Sequence, residues 1–184
     1  MPRIARVFVE NACNHVIARG NEKADIFRAK DDFRTYFLLL HKYKLKYGCL
    51  VYGYCLMPNH VHLIMESPSG LKGMSRFMHD VNQSYAMYFN IKYDRVGHLW
   101  QNRYKSLVVL RDRYLHNLVA YIENNPVRAG IVSVPEDYQW SSYRARVLGA
   151  HSIILDSFAA GDRTGDRAWG SFCPRDTGLL AGQV

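Results

Sequence analysis

The chain has 184 residues, 48% of them apolar, which is enough for the core of one domain and short for two. Its 24 Lys and Arg against 16 Asp and Glu give a net charge of +8, carried before residue 150, so a polyanionic partner is expected. No apolar run is long enough to span a bilayer and no signal peptide is read at the N-terminus, so the expectation is a soluble, cytoplasmic protein with no membrane partner.

The elements follow from hydrophobic period. Residues 14–18 have strand character and end at the turn signal Arg19-Gly20-Asn21. Over 31–47, apolar and aromatic residues recur at spacings of three and four behind an aspartate cap, which predicts an amphipathic helix. Gly48 ends it. Residues 49–57 and 60–66 then read as two strands of a hairpin turning at Pro58-Asn59. Met74, Phe77, Met78, Val81, Tyr85 and Phe89 repeat with helical spacing after Pro68-Ser69-Gly70. A fourth strand is expected over 104–110. A third helix is expected from about 112 to 124, halted by Pro126 because proline disfavours helical geometry in the residue before it.

That order predicts an α+β fold, a ferredoxin-like antiparallel sheet with helices on one face and a further C-terminal helix. One domain is expected over 1–149. Residues 150–184, poor in apolar side chains, are expected to form a loosely ordered or disordered tail. Cys13, Cys49, Cys55 and Cys173 lack the close spacing of a zinc or redox motif and are read as reduced thiols.

His60 and His62 are two apart on a strand and therefore project from the same face, where two imidazoles can share a divalent cation. An isolated pair is more often a polar alternation on a wet face, so its weight depends on what accompanies it. In the third helix, Leu115, Leu118, Val119 and Ile122 form the apolar stripe, and Tyr114, Tyr121 and Asn125 share one flank. A tyrosine nucleophile needs a neighbouring positive charge, because an ordinary phenol titrates near pH ~10. Periodicity alone leaves Tyr114 and Tyr121 as rivals. The other histidines, His15 among them, show no partner spacing and are read as ordinary packing or surface residues.

Five strings occur in order: NHVIARGN at 14–21, LMPNHVHLIME at 56–66, GHLWQNRYKSLVV at 97–109, YIENNPVRAGIV at 121–132 and WSSYRA at 140–145. Together they resemble the small bacterial HUH tyrosine transposases of the insertion-sequence type, and within these the branch associated with repetitive extragenic palindromes (REP). The resemblance implies Mg²⁺ or Mn²⁺ on His60 and His62, with Asn125 completing the set, and Tyr121 as the nucleophile. It also implies single-stranded or hairpin DNA as partner, and strand nicking and transfer through a 5′-phosphotyrosine. Insertion-sequence relatives build their sites from two chains while the REP-associated branch acts alone, so monomer and homodimer both stay open.

For DNA binding, the basic stretch containing Lys92, Arg95, Arg103 and Lys105, interleaved with Tyr93, Trp100 and Tyr104, combines phosphate contacts with stacking surfaces. Arg19, Asn21 and Arg128 lie in the matched strings and are further candidates. Trp140 is assigned to packing. Two other classes remain: a catalytically silent hairpin-binding protein, and a sheet-based RNA-binding module, which calls for exposed aromatics where this chain places histidines.

Overall fold

A computed structural model describes residues 13–109 and 113–157. Strand β1 (Cys13–Arg19) leads through a 3-10 turn at Asn21–Lys23 to helix α1 (Lys30–Tyr47). The hairpin β2 (Leu50–Met57) and β3 (His60–Glu66) follows, then helix α2 (Gly70–Lys92) and strand β4 (Lys105–Val109). The chain continues in α3 (Arg113–Glu123), α4 (Asn125–Arg128) and α5 (Tyr143–Val147). All strand pairs are antiparallel in the order β2-β3-β1-β4, the ferredoxin-like arrangement expected.

Helices cover both faces of the sheet. Val16, Ala18, Val61 and Leu63 pack against Tyr36 and Leu40 of α1 and Phe77 and Tyr85 of α2. On the opposite face Cys13, Cys55, Met57 and Ile64 pack against Leu115, Val119 and Ile122 of α3. This double cover explains why β2 reads as an almost unbroken apolar run rather than an alternation. The seat of α3 depends on Gly53, where a Cβ would meet the two Val119 methyls at 3.0 and 3.2 Å.

Helix α1 is capped from within: Asp32, fully buried, accepts backbone hydrogen bonds from Arg28 (2.8 Å) and Ala29 (2.9 Å). The same carboxylate receives Lys92 Nζ (2.6 Å), Tyr93 Oη (2.7 Å) and Tyr88 Oη (3.0 Å) from the end of α2. It therefore ties the starts and ends of two helices together. Helix α3 ends at Glu123, one residue short of the expected Asn124, and Pro126 falls in the short α4 that follows. It sits at the first turn of α4, where its missing N–H costs nothing.

The outer edge of β2 is occupied by the chain after α4. Leu56 N donates to Trp140 O, Ser142 N to Tyr54 O, and Val51 N to Asp156 Oδ2, while Asp156 N donates back to Val51 O. Trp140 also stacks on Phe33 at 4.6 Å, the packing role assigned to it. Lys44 clamps Asp156 at 2.7 Å, and Ile154 is fully buried. Packed structure thus extends to Asp156, past the boundary at 149, because Ile154 and Asp156 find partners on α1 and β2 that composition does not disclose. The rest of the expected tail, with Cys173, lies outside the described residues. Cys13, Cys49 and Cys55 are buried.

Candidate functional site

Antiparallel register sets the site. His62 lies between Ile17 of β1 and Cys55 of β2, and His60 between Arg19 and Met57. Directly paired residues share a face, so the histidines stand on the side where Cys55 and Met57 meet α3. The two rings are edge to face with centroids 4.8 Å apart.

Each imidazole has one nitrogen engaged. His60 Nδ1 is 2.6 Å from Asn59 Oδ1, and the Asn59 amide is oriented by its own Nδ2, which donates to Lys23 O at 3.0 Å. Asn59 Oδ1 is therefore the acceptor, and His60 carries its proton on Nδ1. His62 Nδ1 is 2.9 Å from Nε2 of His15, a residue the sequence reading set aside. Its one-dimensional signal was its place two residues before Ile17, on the same face. Only the strand register reveals that this face is the one His62 shares.

Burial disfavours the charged ring and lowers all three histidines from the ordinary 6.5: His15 to about 4, His60 to about 4 and His62 to about 2. The positive charge of Arg19 adds to the effect on His60, and His15, His60 and Arg19 add to it on His62. Neutral imidazoles with Nδ1 engaged suit cation binding through Nε2. Among the described residues no group of three or more His, Cys, Asp or Glu is arranged for a metal ion. Further ligands would therefore come from an amide oxygen, water or substrate.

Tyr121 lies on α3, 43% exposed, beside the fully buried Ile122, with the Arg128 guanidinium carbon 4.8 Å from its ring centroid. Tyr114, its rival, is 54% exposed one heptad earlier. Asn125 was expected on the same helix as Tyr121; instead α3 ends at Glu123 and Asn125 opens α4. The helical backbone at Asn124 keeps the path nearly continuous, with Asn124 N donating to Ala120 O and Arg128 N to Asn124 O. Among the described residues, Tyr121 and Asn125 are not recorded in a hydrogen bond to His60 or His62.

The end of α3 is fixed by a group that sequence reasoning missed. Glu123, fully buried, accepts from both Nε and Nη2 of Arg146 and from Ser142 Oγ at 2.6 Å. Ser142 Oγ also accepts from Tyr54 N at 3.0 Å. The carboxylate thus pins the tyrosine helix to β2, one residue from Cys55.

The basic candidates separate. Arg19 and Lys105 are exposed and stand on the histidine face, paired in register with His60 and Ile17. Asn21 lies in the turn closed by Gly20 N to Asn59 O at 2.9 Å, next to His60. Gly20 is required there, since a Cβ would collide with the Ala24 carbonyl oxygen. Arg103 is exposed, and Arg95 is half-buried over the Phe89 ring at 5.6 Å. Lys92 is ion-paired to Asp32. The expected stacking surfaces are committed to the domain: Tyr93 to Asp32, Trp100 Nε1 to Asn82 O at 2.8 Å, and Tyr104 buried beside Ser75. No helix among the described residues is long and apolar enough to cross a membrane.

The sequence model of the family described as Transposase IS200 like matches residues 8–125. A Haemophilus influenzae protein described as a REP-associated tyrosine transposase is 30% identical over 104 residues, half of this chain and 58% of that protein. The chain thus covers less than two thirds of that relative's length. The solved structure of a REP-associated tyrosine transposase bound to a REP hairpin superposes with a TM-score of 0.70. It covers 94% of this chain and 99% of that chain at 17% identity, a likeness of fold.

Proposed function

The chain belongs to the IS200-like transposase family, and on that premise we propose that it nicks and rejoins single-stranded DNA beside hairpin-forming repeats, with Tyr121 as nucleophile. The observation that carries this reading is the shared face: the helix bearing Tyr121 packs on the side of the sheet that bears His60 and His62.

Tyr121 Oη attacks the scissile phosphorus and loses its proton. The bond from phosphorus to the 3′ oxygen breaks, that oxygen takes up a proton, and a 5′-phosphotyrosine forms. Attack by a second 3′-hydroxyl reverses these changes and releases Tyr121 without ATP. His60 and His62, with Asn125, would hold Mg²⁺ or Mn²⁺, which supplies Lewis-acid polarisation of the phosphate. Arg19 and Lys105 orient the strand over the histidine face, and Arg103, Arg95 and Asn21 extend that contact. The solved relative bound to a REP hairpin supports hairpin DNA as the substrate class.

The test is a labelled hairpin oligonucleotide with a single-stranded flank, incubated with Mn²⁺ and run on a denaturing gel. A covalent protein-DNA band with wild type, absent from Tyr121→Phe and His62→Ala, is expected. A band that persists in Tyr121→Phe moves the nucleophile to Tyr114. Hairpin binding with no band in wild type makes the chain a silent binder.

A further inference from the structure

We infer that His15 is a positioning residue for His62, accepting a hydrogen bond from His62 Nδ1 and so holding the tautomer that leaves Nε2 bare for a divalent cation. The inference rests on the reading that His60 and His62 bind such a cation. His15 Nε2 and His62 Nδ1 are 2.9 Å apart, and the ring centroids are 5.1 Å apart with 25° between the ring planes. Both side chains are buried, at 6% and 8% exposure. Their proton can sit in either of two places.

If His15 donates, His62 carries its proton on Nε2 and has no lone pair to offer. If His62 donates, Nε2 is free. Cation binding selects the second arrangement. The contrast with His60 shows why the device is specific to His62. The Asn59 amide is locked by Lys23 O, so its oxygen can only accept and His60 has a single tautomer. His62 faces a partner that can act either way, so His15 must itself hold its proton on Nδ1. Removing the acceptor leaves His62 free to rotate or to place its proton on the ligating nitrogen.

The experiment is Mn²⁺ binding without DNA, read as free Mn²⁺ by electron paramagnetic resonance. The proteins are wild type, His62→Ala, His15→Phe and His15→Gln, with metal-free melting measured alongside. Phenylalanine keeps a ring of similar size and removes the acceptor; glutamine returns an acceptor at the reach of Nε2. Expected is a loss of affinity of about 10- to 100-fold in His15→Phe, recovery to within a few-fold in His15→Gln, and no binding in His62→Ala. Unchanged affinity in His15→Phe overturns the inference and leaves the cation reading standing. Wild-type binding that is absent, or indifferent to His62→Ala, overturns both.

Should His15→Phe melt early, imidazole ¹⁵N shifts of the wild-type protein with Mg²⁺ decide. A proton on His62 Nδ1 supports the inference, and one on Nε2 overturns it.

Discussion

The Arg128 guanidinium carbon lies 4.8 Å from the centre of the Tyr121 ring, closing α4 back onto α3. Such a contact is worth about 0.5–2 kcal/mol, and here its effect is orientational, since it restricts a ring that is otherwise 43% exposed. Arg128→Ala should lower formation of the covalent Tyr121 adduct by about tenfold, as misplacement of a reacting group does. Arg128→Lys, which lacks the planar face, should recover only part. Gel quantification of the adduct, set beside hairpin affinity, checks this. Equal losses of affinity and adduct would assign Arg128 to DNA binding.

Glu123 and Arg146 form a buried pair two residues along the chain from Tyr121. Arg146→Ala leaves the Glu123 carboxylate without its cation and should cost about 3–5 kcal/mol. Urea unfolding measures the loss. Arg146→Ala with Glu123→Gln should be less destabilised than the sum of the two single variants, because no unpaired charge remains.

Asp32 makes stability depend on acid. Burial raises its pKa, but hydrogen bonds from Lys92, Tyr93, Arg28 and Ala29 reverse that and hold the carboxyl at about 2, below the ordinary 3.8. A folded pKa below the unfolded one gives stability that is full above 3.8 and lost as pH falls towards 2. Asp32→Asn should be less stable than wild type at neutral pH by about 2–3 kcal/mol. The gap should close across that acid window, and denaturant titrations on both sides of it would show this.

Gly53 sets how closely α3 approaches the sheet. Gly53→Ala places a methyl 3.0 Å from Val119 Cγ1 and should cost about 1–3 kcal/mol through overpacking. Val119→Ala should relieve it, so the double variant unfolds at a higher urea concentration than additive losses predict.

Much of this was legible in one dimension. The four strands and three long helices follow from hydrophobic period, and the HxH spacing alone puts His60 and His62 on one face. What periodicity does not carry is pairing register, and with it His15. That residue gained its meaning only when β1 aligned against β3. Lys92, Tyr93, Trp100 and Tyr104 read as a nucleic-acid surface because basic and aromatic residues interleave there. Asp32 and Asn82, distant in sequence, bind Lys92, Tyr93 and Trp100, while Tyr104 is buried beside Ser75. Asn125 was placed by its spacing of four from Tyr121, and the helix break at Asn124 is a tertiary outcome that spacing does not register.

The backbone bonds made by Trp140, Ser142 and Asp156 along β2 bear on how the protein behaves at high concentration. An open sheet edge offers unpaired N–H and C=O groups to the next molecule, and a hydrophobic strand such as LVYGYCLM is the kind that templates intermolecular pairing. Here that edge is already taken from Val51 to Leu56. A chain ended at Gly149 would lose Asp156 and bare Val51, and light scattering should then show it associating more strongly than the full chain. Trp140, Ser142 and Asp156 act as an edge guard, occupying backbone groups that a second copy of the strand would otherwise pair with.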